Sequence, residues 1–207
     1  MNLQPKELGD AVAHWLEYKT ICGFESLLSE ALLVTPISEY LIGKGWQVSA
    51  ERDYRTVFGR NLGAGYLNYD IDAVRNEGKL IVEVKYLKIG KGKDSGPAIA
   101  TGRIFEDIAK LAFPSDMCRR LLIVGRAANV TSYSAIGTLL GSKKSIVRFP
   151  NSAEARVDEI SYKFRDGITN AIRALNEGGL PSLCEVELLS SGESDRRAFV
   201  FEVSRST

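Results

Sequence analysis

The chain has 207 residues, of which 44% are hydrophobic and 26% are charged. This composition excludes a disordered or collagen-like chain, and the length suits one α/β domain with modest additions. With 27 basic and 26 acidic residues, the formal charge of +1 argues against a large nucleic-acid footprint but allows a local basic groove.

Cysteine usage and the N-terminal residues bear on the cellular compartment. Cys22, Cys118 and Cys184 are far apart and form no CxxC pair, which argues against structural zinc and against a disulfide framework. The first residues lack an apolar signal core, and no apolar run approaches the roughly 20 residues that a membrane span needs. We therefore expect a soluble cytoplasmic protein that is not associated with a membrane.

Hydrophobic spacing predicts two helical regions at the start of the chain, over residues 6–21 and about 25–43. Thr35-Pro36 interrupts the second region. Pro36 either kinks that helix or begins a new one with Thr35 as its N-cap. Alternation of apolar and polar residues over 46–51 then predicts a strand.

Two further strands are predicted over residues 66–75 and 79–87, joined by a turn at Asn76-Glu77-Gly78. A polar loop rich in Gly and Lys follows over residues 89–96. Residues 97–113 form a strongly amphipathic helix in this reading. Its charged side carries Arg103, Glu106, Asp107 and Lys110, and we expect a weak surface pair between the first and third of these.

The remaining pattern predicts a mixed succession of elements. A short buried strand is expected over 120–125, followed by a helix near 132–140, a strand near 145–149, a helix over 157–176, and strands near 183–189 and 198–203. This order predicts a mixed α/β fold and not a regular βαβ repeat.

The predicted hairpin carries an unusual group of charges. Pairing around a turn at residues 77–78 places Asp72 opposite Glu83, and it places Asp70 opposite Lys85. Cross-strand partners and residues two apart point to the same side of a sheet, so these four side chains are expected on one face. The other face, the natural core face, carries Ile71, Ala73, Val82 and Val84.

Facing carboxylates favour a metal ion over a plain sheet surface. Two carboxylates directly opposite each other cost roughly 0.2–1 kcal/mol in a sheet, and a cation between them removes that repulsion. Mg²⁺ takes one or two carboxylates and keeps several waters. A bound metal can polarise a phosphodiester and activate water, and Lys85 can stabilise developing phosphate charge. The alternative is a solvated face on which Lys85 pairs with Asp70 and Glu83.

The pattern Asp-x(n)-Glu-x-Lys across a β-hairpin resembles the PD-(D/E)xK, or restriction-endonuclease-like, nuclease superfamily. The resemblance covers about residues 25–126 and includes the order of the surrounding elements. It implies an α/β fold with a restriction-endonuclease-like mixed sheet core flanked by helices, with N-terminal helical and C-terminal α+β additions. We expect one nuclease-like domain over residues 1–207, with the extension at about 127–207.

The resemblance also implies roles for individual residues. Asp72 and Glu83 would be the metal carboxylates, the main-chain carbonyl of Val84 a further ligand, and Lys85 the catalytic lysine. Since Tyr69 or Ile71 stands where the family has proline, the choice between Asp70 and Asp72 stays open. We favour Asp72 because it faces Glu83 in the derived register.

Further residues are expected near this predicted metal centre. Many members of the superfamily place a glutamate on the leading helix near the metal, and Glu30 fits that position better than Glu39. Nucleic-acid contacts are expected from Lys88, Lys91, Lys93 and Arg103. His14 is the only histidine, which makes histidine-based nucleases and hydrolase triads improbable.

The sequence thus predicts a Mg²⁺-dependent endodeoxyribonuclease, with Mn²⁺ as a substitute, that acts in restriction and defence or in DNA repair. Its expected partner is DNA, and it would work as a homodimer or within a larger defence or repair complex. One alternative is a catalytically silent binding or assembly subunit of a DNA-processing complex that keeps the nuclease fold. A third is an unrelated α/β protein whose hairpin charges are only surface.

Overall fold

The computed structural model is a mixed α/β fold with one nine-stranded sheet and four α-helices among the residues that it describes. It describes residues 3–53, 68–76, 78–88, 97–113, 118–127, 130, 137, 139, 143–174, 180–192 and 197–205. The loop predicted over 89–96 lies outside these residues, and so does most of the helix predicted near 132–140.

Three of the four described α-helices precede residue 113. The helical elements are α1 (Pro5–Ile21), a 3-10 turn (Glu25–Leu27), α2 (Glu30–Gly43), α3 (Pro97–Ala112) and α4 (Asp166–Ala174). The strands are β1 (Gln47–Asp53), β2 (Asn68–Arg75), β3 (Gly78–Leu87), β4 (Arg119–Arg126), β5 (Lys144–Asn151), β6 (Glu154–Val157), β7 (Ile160–Lys163), β8 (Leu183–Ser191) and β9 (Ala198–Arg205).

The sheet has the order β1-β2-β3-β4-β9-β8-β5-β6-β7. Only β3 and β4 pair in parallel among these strands, and α3 makes the crossover between them. β4 and β9 pair directly, so the sheet continues from the predicted core into the C-terminal extension. Strand predictions for both halves of the chain are confirmed in position to within a few residues.

Of the two alternatives for Thr35-Pro36, the one in which Pro36 begins a new helix with Thr35 as its N-cap is wrong. Pro36 lies inside α2, whose N-cap is Ser29, and the break falls earlier, between the 3-10 turn and α2. Leu33, Ile37 and Leu41 recur at helical spacing and are fully buried. Their packing therefore outweighs the hydrogen bond that a proline removes.

The helix predicted over residues 157–176 is wrong in its first half. Residues 154–163 form the β6–β7 hairpin, and the helix α4 begins only at Asp166. In this hairpin Ala155 lies opposite Tyr162 and both are buried, which is burial at the strand period of two. Asp158 adopts a positive φ of 51° at the turn, a conformation that ends a helix.

The core lies on both faces of the central strands. Leu121, Leu122, Ile123 and Val124 of β4 are all fully buried, as expected for a strand covered on two sides. At Gly125 a side chain would meet Leu33 at 2.7 Å, so α2 packs directly onto the end of β4. None of the helices within the described part of the chain is long and apolar enough to cross a bilayer.

Candidate active site

The pairing of β2 with β3 differs by two residues from the predicted pairing. Asp72 lies opposite Ile81, so the prediction that Asp72 faces Glu83 is wrong. The observed pairing reaches Ile71 opposite Val82, so the next residue on each strand is Asp70 and Glu83, respectively. A shift of two leaves every side chain on the predicted face, because sides alternate with period two. The prediction of a common face is therefore confirmed, whereas the predicted cross-strand partners on that face are not the observed ones.

The hairpin turn explains this difference. Arg75 lies opposite Gly78, so residues 76–77 alone connect the strands. The prediction centred the turn at residues 77–78. A two-residue connection is the commonest hairpin loop, and the loop length fixes the register of both strands. A turn centre displaced by one residue moves each cross-strand partner by two.

Asp72 lies on the common face but away from the other acidic groups. Its Oδ1 is 3.8 Å from Lys79 Nζ. Burial raises the pKa of Asp72, and the charges of Lys79 and Arg52 oppose this shift. The reason for preferring Asp72 as a metal ligand is thereby removed.

Asp70 is the aspartate that the hairpin brings to Glu83. Its Oδ2 accepts a 2.6 Å hydrogen bond from the main-chain N–H of Val84. The N–H and C=O of one strand residue point to the same edge, so the carbonyl of Val84 faces this carboxylate as well. Burial raises the pKa of Asp70, while the Val84 N–H and Lys110 oppose it.

Glu83 is the most deeply buried acid of the hairpin, with 1% of its surface exposed. Lys110 donates to its Oε2, whereas its buried Oε1 has no hydrogen-bond partner among the described residues. Burial raises the pKa of Glu83 well above its usual value, Lys110 opposes the shift, and Asp107 and Asp70 reinforce it. A buried oxygen without a donor favours a proton or a cation beside it.

Lys85 is held by two carboxylates from different helices. Its Nζ lies 2.8 Å from Asp107 Oδ2 and 3.3 Å from Glu30 Oε2, and 12% of its side chain is exposed. Burial alone would lower the pKa of Lys85, but Asp107 and Glu30 outweigh it and raise the pKa. The structure thus brings the predicted Glu30 of α2 to the predicted lysine.

Helix α3 supplies two residues that the sequence reasoning missed as site residues, Asp107 and Lys110. The prediction placed the charged side of α3 outward, and this is wrong, since Glu106 and Asp107 are 1% and 4% exposed. Asp107 pairs with Lys85 and Lys110, at 2.8 and 3.1 Å, and not with Arg103 as expected. Their spacing of three was the available signal, because it puts both on one side of a helix that covers β3.

The resulting group contains more acidic than basic side chains. Within the described residues, two lysines, Lys85 and Lys110, are shared by four carboxylates, those of Glu30, Asp70, Glu83 and Asp107. Burial opposes ionisation of Asp107, but Lys110 and Lys85 together hold the pKa of Asp107 below its usual value. We call these six residues the buried charge cluster; Glu30 lies at its rim, with 44% of its side chain exposed.

The donors of this cluster suit Mg²⁺ in kind. With all four carboxylates ionised, the cluster would carry two more negative than positive charges, which a Mg²⁺ ion would balance. Glu83 Oε1 is a buried acceptor without a donor among the described residues. Mg²⁺ is commonly held by one or two carboxylates with waters completing its shell. No three acidic, histidine or cysteine side chains of the described residues gather closely enough to bind a metal by themselves. Asp70, Glu83 and the Val84 carbonyl are the donors that fit.

The structure describes only two of the four residues that were predicted to contact nucleic acid. Lys88 is exposed, and its Nζ donates to the main-chain oxygen of Leu28 at 3.3 Å. Lys91 and Lys93 lie outside the described residues. Arg103 is half-buried and lines a groove beside α3.

No family model matches the chain, and comparisons with curated proteins and with solved structures find no match. The interpretation of this site therefore depends on its own residues and geometry.

Proposed function

We propose that this protein is a Mg²⁺-dependent nuclease that hydrolyses DNA phosphodiester bonds at the buried charge cluster. The observation that carries the proposal is the excess of carboxylates over lysines around Lys85, with Glu83 Oε1 left without a donor in the described part of the chain. Buried charge without full compensation is costly in a fold and is concentrated at functional sites. The restriction-endonuclease-like core and the endonucleolytic action are parts of the same proposal.

Asp70 replaces Asp72 in the proposed ligand set, because Asp70 is the aspartate beside Glu83 and Val84. Asp70, Glu83 and the Val84 carbonyl would hold the ion. A bound ion would supply Lewis-acid polarisation of the scissile phosphate and would lower the pKa of the attacking water. Mn²⁺ has similar oxygen preferences and is the expected substitute.

Lys85 is the proposed catalytic lysine. Its ammonium group can donate a hydrogen bond to the attacking water or stabilise negative charge that develops on the phosphate. Asp107 and Glu30 hold it from two sides, which restricts the position of Nζ. Such restriction is valuable because misplacement of a catalytic group by about 1 Å can cost about a hundredfold in rate.

Incubation of the purified protein with plasmid, single-stranded and branched DNA, in Mg²⁺ or Mn²⁺, tests this proposal. The Lys85→Ala variant should lose about a hundredfold or more of the cleavage rate. Lys79→Ala removes another lysine of β3, one that faces Asp72 and not the cluster, and should keep the parent rate within a few-fold. Equal rates for Lys85→Ala and the parent protein would contradict the proposed mechanism.

A second candidate is a catalytically silent subunit that binds or assembles on DNA. Lys110 favours it, because its ammonium group already lies between the carboxylates of Glu83 and Asp107. The same assays separate the two functions, since the silent subunit would bind DNA without metal and cleave none of the substrates. Cytoplasmic location and work as a homodimer or in a larger complex belong to both proposals.

A further inference from the structure

A groove of about 480 Å³ runs between α3 and the β6–β7 hairpin. One side is formed by Gly102, Arg103 and Glu106 of α3. The hairpin and the residue after it form the other side, through Ile160, Ser161, Tyr162, Lys163 and Arg165. The hairpin belongs to the C-terminal extension, so this groove is not part of the hairpin site that the sequence predicted.

The groove joins the buried charge cluster through neighbouring residues of α3. Glu106 reaches into the groove and Asp107, the next residue, binds Lys85. Arg165 binds Glu106 through Nε and Nη2, at 2.8 and 2.6 Å to Oε2, and its charge also acts on Asp107 and Glu30. A molecule in the groove would therefore lie beside the proposed catalytic centre.

Positive charge dominates the rim of the groove. Arg103, Lys163 and Arg165 line it, with Glu106 as the one acidic lining residue. Glu106 is engaged by Arg165, whose Nη1 makes no hydrogen bond to the residues that the structure describes. Glu154 lies opposite Lys163 in the hairpin, but its carboxylate is held by Arg156 and Ser161.

Two polar groups of the groove residues have no hydrogen-bond partner among the residues that the structure describes. Arg103 Nε and the Tyr162 hydroxyl are buried and lack hydrogen bonds within the described part of the chain. Orphaned buried donors are rare in folded proteins, and an ordered water or a bound ligand can supply the partner. The ring of Tyr162 stacks on Phe105 at 4.1 Å, and Ile160 adds an exposed apolar side chain. The groove thus combines basic and unpartnered donors with an apolar wall.

We infer that this groove binds the backbone of a nucleic-acid strand and directs that strand to the buried charge cluster. Phosphate oxygens accept from arginine, lysine and tyrosine donors, while sugars and bases pack against aromatic and apolar side chains. In this arrangement Lys163 and Arg165 bind phosphate groups of the strand. The inference rests on the proposed function for its substrate, and it adds the C-terminal hairpin to the substrate-binding surface.

Fluorescence anisotropy without divalent metal tests the inference, using labelled single strands of about 16 nucleotides, as DNA and as RNA, and a duplex of the same length. The double variant Arg103→Gln/Lys163→Gln removes two groove charges. A matched control, Arg119→Gln/Lys144→Gln, removes one arginine and one lysine that pair with glutamates elsewhere.

The groove variant should raise Kd about tenfold or more and reduce the slope of log K against log salt by about two, one for each lost phosphate contact. The control variant should keep the slope and lie within about threefold of the parent Kd. Tyr162→Phe keeps the stacked ring and removes only the hydroxyl, so it should raise Kd a few-fold. Comparison of the three probes shows whether the strand is DNA or RNA.

Equal affinity and equal slope for the groove variant and the parent protein, with Tyr162→Phe also unchanged, would overturn the inference. Thermal shifts with Mg²⁺ or Mn²⁺ keep this outcome separate from a failure of the proposed function. The groove variants should retain the metal-induced shift, because their substitutions lie outside the ligand set. Absence of that shift in the parent protein would contradict the metal site and leave the measured contribution of the groove intact.

Discussion

Two lysine–carboxylate clusters of this protein have the same contact distance and opposite surroundings. Lys85 lies 2.8 Å from Asp107 in the buried charge cluster, and Lys144 of β5 lies 2.8 Å from Glu185 of β8. The Lys85 side chain is 12% exposed, whereas that of Lys144 is 53% exposed. The contact distance does not distinguish the two clusters, so the burial of their side chains decides how much each contributes to the stability of the fold.

Burial makes the first cluster costly. Removing an ion from water costs several kcal/mol in a protein, and a partner charge repays this only in good geometry. An exposed ion pair costs little to form and contributes about 0–1 kcal/mol. The cluster of β3 and α3 is therefore poorly explained as a device for stability. Its cost is better explained by the chemistry that buried charge allows.

Asp107→Ala should produce the largest difference between the two clusters. It removes the carboxylate that Lys85 and Lys110 share and leaves two buried ammonium groups with fewer partners. The free energy of unfolding should fall by about 3–5 kcal/mol. Urea denaturation of the variant and the parent protein, at constant slope, measures this loss.

The matching change in the exposed cluster is Glu185→Ala. If Asp107→Ala lowered the free energy of unfolding by no more than Glu185→Ala does, the comparison would be contradicted, because burial would then have no effect on the energy of the ion pair.

The pH dependence of stability gives a smaller effect. Burial raises the pKa of Glu83 in the folded protein above its usual value of 4.5, so the folded state keeps a proton that the unfolded chain has released. The free energy of unfolding should therefore fall as pH rises above about 4.5, through the raised pKa of Glu83. Glu83→Gln removes this fall, since glutamine cannot ionise.

Urea denaturation of Glu83→Gln and the parent protein at a series of pH values checks this effect. The variant should resemble the parent at the acid end, where Glu83 is protonated, and become relatively more stable as pH increases. Parallel curves over the whole range would show that Glu83 is not held in a raised-pKa environment.

Lys144→Ala should give the smallest change. Its ion pairs with Glu185 and Glu187 are exposed, at 2.8 and 3.6 Å, and water replaces them at little cost. The urea midpoint of the variant should stay close to that of the parent protein, because exposed ion pairs contribute little to stability. A shift of the midpoint as large as that for Asp107→Ala would show that the exposed cluster stabilises the fold, contrary to the comparison.

The sequence was sufficient for seven of the nine described strands, all but β6 and β7. It was also sufficient for the common face of the hairpin, because a period of two is preserved when the register slips by two residues. It was insufficient for the partners, because Asn76-Glu77-Gly78 allows turns of different length and only the longer-range packing selects one. Asp72 was preferred for this reason, although Asp70 lies at the cluster.

Helix α3 shows a second limit of prediction from the sequence. Helical periodicity assigns charged side chains to solvent, and Glu106, Asp107 and Lys110 follow that assignment in sequence. In the structure the helix covers a face of β3 that is itself charged, so the charges of both elements are buried together. Complementarity between two elements distant in sequence cannot be derived from the period of either one.

The identity of the proposed metal ligands can be tested most directly by isothermal titration with Mn²⁺ of the parent protein, Asp70→Asn and Asp72→Asn. The two variants remove the same charge from the same face of one strand, two residues apart. We predict that Asp70→Asn abolishes Mn²⁺ binding, whereas Asp72→Asn retains it with a Kd within a few-fold of the parent protein. Retained binding in Asp70→Asn, or loss confined to Asp72→Asn, would contradict the assignment of the metal site to Asp70 and Glu83.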